Sequence, residues 1–159
     1  MKRFAILCLA LAATAAVAVP FTLAGTAGGR TLEFVTVQQQ FTAVPPIVKS
    51  APPQVGGRLI FSDLNYNRVP QFGKPAGALI GRSEGVCTLI KPLRPEAQCL
   101  ITAHAPDGLV VVAGEGDPGA KVTHYAVVGG IGAYANARGT VTATALSETK
   151  SLIVVHLGS

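Results

Sequence analysis

The residues of this chain that could do chemistry are few and widely spaced. The three histidines, His104, His124 and His156, fall near the ends of separate apolar segments, and none belongs to a recognisable metal motif. Metal sites usually show closely spaced ligands in the sequence. We therefore expect no metal site here, and we expect the histidines to lie at the barrel rim or on the surface. The patterns His-Glu-x-x-His and Cys-x-x-Cys are absent, and Gly81–Gly85, which matches Gly-x-Ser-x-Gly, lies inside the predicted strand 77–90 and not at a strand-to-helix turn. No catalytic residue follows from the motifs.

A glycine-rich stretch looks at first like a phosphate-binding loop. Val127-Val128-Gly129-Gly130-Ile131-Gly132 has the spacing of the start of a dinucleotide fingerprint. That motif needs a full helix after the glycines and an acidic residue about 20 positions later. Here Gly139 and the β-branched run Thr140–Thr144 follow at once. The stretch therefore predicts a strand, a tight turn with about one helical turn, and another strand.

The first 27 residues have the pattern of a secretory signal peptide. Lys2 and Arg3 precede an apolar stretch that ends in small residues, with cleavage expected near Ala18 or Ala27. An uncleaved membrane anchor is the competing interpretation, because the apolar stretch continues to Ala27 with few interruptions. Either outcome predicts a protein outside the cytoplasm, secreted or in the cell envelope.

Cys87 and Cys99 are the cysteines that remain after such a cleavage. Each lies six residues from Leu93, so a simple hairpin places them opposite each other. Opposed residues in an antiparallel pair are close enough for a disulfide, which an oxidising compartment allows. The alternative is a reactive or metal-binding thiol. The sequence predicts an intrachain disulfide.

The rest of the chain predicts strands. Charged residues are only 13% of the sequence, and 18 glycines and 11 prolines separate short β-branched segments. Eight strands are predicted, at residues 31–41, 58–65, 77–90, 97–103, 109–114, 121–128, 140–146 and 151–157. Eight strands in meander order predict one domain, residues 31–158, folded as a closed antiparallel up-and-down barrel like a lipocalin. Several strands are apolar on both faces, so the outer face is expected to be covered by another subunit.

Three segments resemble the allene oxide cyclase/dirigent superfamily of small β-barrels, in particular its secreted bacterial members. They are Val128–Gly139, with Ile131 where threonine is usual; Val55–Leu64, with Gly57 where aspartate is usual; and Gly81–Thr88. Further matches in the same order extend the similarity from about residue 31 to 157. The resemblance implies a barrel that binds a small molecule without a cofactor, an assembly of three chains, and an oxidase as partner in the dirigent case.

The resemblance also nominates site residues. It implies that Thr36 and Gln38 occupy the positions of the glutamate and asparagine that line the cyclase site. Thr36 cannot supply the negative charge, so allene oxide cyclisation itself is not expected. Alternation along the strand puts Phe34, Thr36, Gln38 and Gln40 on one face, and the resemblance implies that this face is the inner one. Tyr134 and Arg138 match the glycine motif, and are expected near one barrel end. There they either orient a ligand or plug the end and tie down the turn.

Two hypotheses for function remain. The first is a secreted barrel that binds an apolar or phenolic molecule and steers its cyclisation, isomerisation or coupling, as a cyclase-like isomerase without cofactor. The second is a non-catalytic cell-envelope binding or interaction protein that keeps only the scaffold. Nucleic acid is not an expected partner, because the basic residues behind the net charge of +5 are scattered and not interleaved with aromatics.

Overall fold

The computed structural model describes residues 29–46, 54–91 and 96–158. They form eight β-strands: β1 (Thr31–Val44), β2 (Arg58–Asn67), β3 (Leu79–Lys91), β4 (Glu96–Ala105), β5 (Gly108–Gly116), β6 (Val122–Gly132), β7 (Gly139–Ser147) and β8 (Lys150–Leu157). Each strand pairs antiparallel with the next, and β1 also pairs with β8, so the sheet closes. The predicted eight-stranded up-and-down barrel is confirmed.

Two predictions concern residues outside those ranges. The signal peptide at residues 1–27 and the turn around Leu93 both lie outside the described residues. Across the part of the chain that is described, no helix has the length and apolar character needed to cross a membrane.

The strands follow from alternation of apolar side chains. On β8, Ile153, Val155 and Leu157 pack in the core, while the residues between them face outward. A two-residue turn, Pro106-Asp107, joins β4 to β5. At the end of β6, Gly132 has a φ of +67°, and a Cβ there would lie 2.6 Å from the carbonyl oxygen of Asp107. Only glycine fits at that point, which is why the motif needs it.

The barrel interior holds two clusters of buried side chains. The larger one fills the end where β1 begins, and its members are Leu32, Phe34, Ile80, Val110, Val112, Val127, Tyr134, Ala137, Val141, Val155 and Leu157. The smaller one lines the wall made by β2, β3 and β4, and contains Leu59, Cys87, Leu89, Ala97 and Cys99. The described side chains leave the interior between these clusters unfilled, and this space forms the cavity described below.

The disulfide prediction is confirmed. Cys87 on β3 lies directly opposite Cys99 on β4, with a Cα–Cα distance of 4.0 Å, and their sulfurs are bonded. Both cysteines face inward. The bond therefore cross-links two neighbouring strands of the barrel wall.

The predicted inner face of β1 is wrong at Gln40. Gln38 pairs with Asp63, but the next pair is Gln40 with Ser62, so Gln39 is the extra residue of a β-bulge. A bulge shifts the alternation by one residue. As a result Phe41 faces the interior, opposite Phe61, and Gln40 is exposed.

A row of apolar side chains crosses the outer face of five strands. Ile60, Val86, Leu100, Ala113 and Ala126 are successive cross-strand partners from β2 to β6. Ile60 is 44% exposed and Leu100 is 53% exposed. These five residues are called the outer apolar row below.

Candidate functional site in the barrel lumen

The barrel encloses a cavity of about 290 Å³. Its walls are mostly apolar, and the aromatic side chains that line it are Phe34, Phe41, Phe61, Phe72 and Tyr125. The cavity extends to exposed residues of the β5–β6 and β7–β8 turns, among them Pro118, Glu148 and Thr149. We call this end the mouth. An enclosed apolar space with a few polar groups is the usual form of a small-molecule site.

Polar side chains form a stripe across three neighbouring strands of the cavity wall. Gln38 on β1 pairs with Asp63 on β2, and Asp63 pairs with Ser83 on β3. One step deeper, Thr36 pairs with Asn65. We call Thr36, Gln38, Asp63, Asn65 and Ser83 the polar stripe. Because paired residues share a face of the sheet, the strand register alone brings these groups together.

The deeper members of the polar stripe are satisfied by hydrogen bonds. Asn65 is 1% exposed, and its Oδ1 accepts a hydrogen bond of 3.0 Å from Ser83 Oγ. Thr36 Oγ1 donates to the carbonyl oxygen of Ser151 at 3.4 Å. These bonds meet the requirement that buried polar atoms have partners, and they hold the side chains in place.

Asp63 differs from its neighbours in the stripe. Within the described part of the chain its carboxylate accepts no hydrogen bond and forms no ion pair. It lies half-buried against the cavity, and this burial raises the pKa of Asp63 from 3.8 to about 6. Desolvation has this effect because it disfavours the charged form of the acid. The site therefore contains a carboxyl group that can carry or lack a proton near neutral pH.

The opposite end of the barrel, which we call the floor, is closed by a linked set of side chains. Tyr134 is fully buried, and its Oη donates a hydrogen bond of 2.6 Å to Asp107 Oδ1. Arg30 Nη1 donates to Asp107 Oδ2 at 2.8 Å. The Arg30 guanidinium also lies 4.9 Å from the ring centroid of Phe72 and 5.7 Å from that of Tyr134. Both oxygens of Asp107 are thus occupied, and two aromatic rings cover the exit.

The β2–β3 loop is fastened across the floor by side-chain amides. Asn67 Nδ2 donates to the carbonyl oxygens of Gln71 and Lys74, at 3.0 and 3.2 Å. The amide of Gln71 in turn bonds both the N–H and the carbonyl oxygen of Glu33 on β1. This network sets the position of Phe72, whose φ of 55° is uncommon for a bulky residue.

The four side chains nominated by the resemblance fall into two places. Thr36 and Gln38 line the cavity, whereas Tyr134 plugs the floor. Arg138 is exposed, and its Nη1 donates to the carbonyl oxygens of Val128 and Ala137 at 2.9 and 2.8 Å. Arg138 thus ties down the glycine turn from outside the barrel. His104, His124 and His156 lie on three different strands, and no described group of His, Cys, Asp or Glu could hold a metal ion.

Asn65, Ser83 and Asp63 are site residues that the sequence alone did not nominate, and the one able to transfer a proton is Asp63. It belongs to Val55–Leu64, one of the segments that carry the family resemblance. Alternation from the apolar residues Leu59 and Phe61 places Asp63 on the same face, which was the available signal. The signal was weak, because an aspartate in that pattern is compatible with a strand end facing water.

No family model and no curated protein matches this chain. Several solved structures do match this chain. A pyocyanin demethylase superposes with a TM-score of 0.64 at 23% identity, covering 80% of this chain and 99% of the other. A pterocarpan synthase dirigent protein gives a TM-score of 0.60 at 17% identity over 91% and 96% of the two chains. AbnU, an exo-specific intermolecular Diels-Alderase, gives 0.57 at 19% identity over 80% and 99%.

The chain has the barrel fold of these proteins. At such identities the likeness concerns the fold alone, and function has to be argued from the site.

Proposed function

We propose that the protein binds a small, largely apolar molecule in the lumen and promotes an isomerisation or cyclisation of it by proton transfer at Asp63. The observation that carries the proposal is the carboxyl group of Asp63, which has no partner among the described residues and lies inside an apolar cavity, with a pKa raised to about 6. A group whose pKa lies near the working pH serves equally well as general base and general acid.

The chemistry needs no co-reactant. The Asp63 carboxylate takes a proton from a C–H or O–H group of the bound molecule, and the resulting carboxylic acid returns a proton to another atom of it. The cavity walls select the folded conformer in which the two positions are near each other, which is the contribution of orientation to the rate. Gln38, directly opposite Asp63, is placed to hydrogen-bond a polar group of the ligand.

Asp63 changes what the resemblance implied for the first strand. Thr36 leaves the family's glutamate position without a charge, yet a carboxylate is present one strand away in the same cavity. Membership of the allene oxide cyclase/dirigent superfamily is part of the proposal, and both the sequence motifs and the shared fold support it. The solved barrels of this fold are named for reactions on small molecules, namely pyocyanin demethylation, pterocarpan synthesis and a Diels-Alder reaction. The signal-peptide pattern supports action outside the cytoplasm, where an oxidase could supply the substrate.

The test starts from molecules retained by the purified protein, identified by native mass spectrometry. The retained molecule is then incubated with fresh protein in D₂O, and deuterium incorporation and rearrangement are followed by NMR. At saturating ligand, Asp63→Asn is expected to slow exchange by roughly 10²–10⁴-fold, the usual contribution of a general acid-base group. Glu84→Gln is the matched control, because it removes an exposed carboxylate on the neighbouring strand.

The alternative function makes a different prediction for the same experiment. A non-catalytic envelope binding protein would retain a molecule without exchanging its protons, and Asp63→Asn would then change the affinity for that molecule but not its proton exchange. That result would refute the catalytic part of the proposal and leave a binding protein.

We also propose that the outer apolar row is buried by self-association, as a trimer according to the family resemblance. Sedimentation at micromolar concentration tests this, and Leu100→Lys is expected to shift the protein to monomer. Leu146→Lys is the matched control, since Leu146 is equally exposed at 53% but lies outside the row. A wild-type protein that sediments as a monomer would contradict the proposal.

A further inference from the structure

The charges around the lumen are unevenly distributed. Among the described residues that line the cavity, those with a carboxylate, imidazole or amine are Asp63, His104, Glu148 and Lys150. Glu148 and Lys150 are exposed in the β7–β8 hairpin at the mouth and have opposite signs. His104 alternates on β4 with Ala103 and Ala105, which pack on the core cluster, so its imidazole belongs to the other face of the strand.

The described arginines with side-chain contacts do not compensate Asp63. Arg82, which lies opposite Leu64, forms an ion pair with Glu84. Arg30 is committed to Asp107 on the floor, and Arg138 lies outside the barrel with its Nη1 on two backbone carbonyls. The partners that face Asp63 across its own strand are Gln38 and Ser83, neither of which is charged. An ionised Asp63 therefore gives the lumen a negative charge that no described side chain neutralises.

The aromatic side chains add to the attraction of the lumen for positive charge. Phe41, which is 50% exposed, and Phe61 are cross-strand partners on the mouth side of the Gln38–Asp63 pair, and both line the cavity with Tyr125. The face of an aromatic ring carries a negative quadrupole that attracts cations, most strongly where water is excluded. A ring pair beside an unpaired carboxylate is a combination that recognises an apolar cation and disfavours an anion.

We propose that the lumen selects organic cations and weak bases, such as a protonated apolar amine or a nitrogen heteroaromatic ring in its cationic form. The inference rests on the proposed lumen binding and adds the chemical class of the ligand. A volume of about 290 Å³ lies at the small end of ligand pockets, which favours molecules of two or three fused rings.

The inference is tested with three bicyclic probes of similar size and different charge: N-methylquinolinium, 1-naphthol and 1-naphthoate. Isothermal titration at pH 8 is expected to give a Kd for N-methylquinolinium at least about tenfold lower than that for 1-naphthoate, with 1-naphthol between them. A charge contact in a partly desolvated site accounts for a preference of this size. Equal or tighter binding of 1-naphthoate, or tightest binding of 1-naphthol, would overturn the inference.

The pH dependence gives a second readout on the unmodified protein. N-methylquinolinium keeps its charge at every pH, so its affinity reports the ionisation of the site. With a pKa of about 6 for Asp63, binding at pH 5 is expected to be about tenfold weaker than at pH 8, and naphthoate binding is expected to strengthen. A flat profile for both probes contradicts the inference.

Variants test whether the cation preference and its pH dependence come from Asp63. Asp63→Asn is expected to abolish both the cation preference and its pH dependence, whereas Asp63→Glu and the outward-facing control Glu84→Gln are expected to keep the preference. If all probes bind with equal affinity, the ligand class is wrong and lumen binding stands. If no probe binds the wild-type protein, the ligand class and the proposed function both fail.

Discussion

The floor and the lumen of the barrel each contain an aspartate close to aromatic rings, but the two aspartates have opposite roles. On the floor, Asp107 accepts hydrogen bonds from Tyr134 and Arg30. Burial alone would raise the pKa of Asp107, but these bonds and the charge of Arg30 outweigh it and lower the pKa. In the lumen, burial raises the pKa of Asp63, and no described partner opposes it.

The comparison shows that partners, more than burial, decide what a carboxylate does here. A carboxylate with both oxygens occupied acts as a cross-link, and the buried Tyr134 hydroxyl that it holds has its own pKa raised. A carboxylate without partners keeps its lone pairs for a ligand, at a cost in stability. Separate regions of one barrel can therefore serve stability and chemistry.

The largest effect is expected on the floor. Tyr134→Ala removes a fully buried aromatic side chain and leaves Asp107 without one of its donors, so the free energy of unfolding should fall by about 3–5 kcal/mol. Urea denaturation measures this. Tyr134→Phe is the control: it keeps the ring and should cost only about 1–2 kcal/mol. Equal losses for the two variants would mean that the hydrogen bond, and not the plug, closes the floor.

The two aspartates should respond to the same substitution with opposite signs. At pH 8, Asp107→Asn is expected to lower the free energy of unfolding by about 1–2 kcal/mol, because it weakens charged hydrogen bonds. Asp63→Asn is expected to raise it by about 1 kcal/mol after allowance for solvent screening, since it removes an unpaired, half-buried charge. Urea denaturation of both variants tests this. If both substitutions change the free energy of unfolding in the same direction, the contrast between the two aspartates is wrong.

The pH dependence sharpens that prediction. The folded-state pKa of Asp63 lies above its unfolded value, so protonation favours the folded state. The stability of the wild-type protein should therefore rise relative to Asp63→Asn as the pH falls from 7 through 6. The pKa of Asp107 is lowered instead, so its contribution should be constant over that interval and be lost only below its unfolded value of 3.8.

The smallest effect is expected for Arg138. Its contacts are two carbonyl bonds on the outside of the glycine turn, so Arg138→Ala should cost at most about 1 kcal/mol of unfolding free energy. Binding of the bicyclic probes should not change, because Arg138 does not line the cavity. A loss of probe affinity in a folded Arg138→Ala protein would mean that Arg138 contributes to ligand binding. It would contradict the assignment of binding to the lumen alone.

Much of the architecture was predictable because it depends on local pattern. The eight strands follow from period-two alternation between glycine and proline turns, and the Cys87–Cys99 bond follows from their equal distance to one turn. The site was predictable only in part. Thr36 and Gln38 were expected to face inward and do so, but the bulge at Gln39 replaced Gln40 with Phe41 on the inner face. A bulge depends on how two strands meet, so the sequence of β1 alone does not reveal it.

The sequence by itself determined the strand order and the opposition of Cys87 and Cys99, since each depends on residues near one another along the chain. Only the tertiary structure decided which of two aspartates is available for chemistry. Arg30 and Tyr134 reach Asp107 across 77 and 27 residues of chain, and barrel closure brings them to the floor. The same closure encloses Asp63 in the lumen, where its carboxylate has no described partner. The pKa of a carboxyl group depends on its neighbours in space, and the sequence does not show those neighbours.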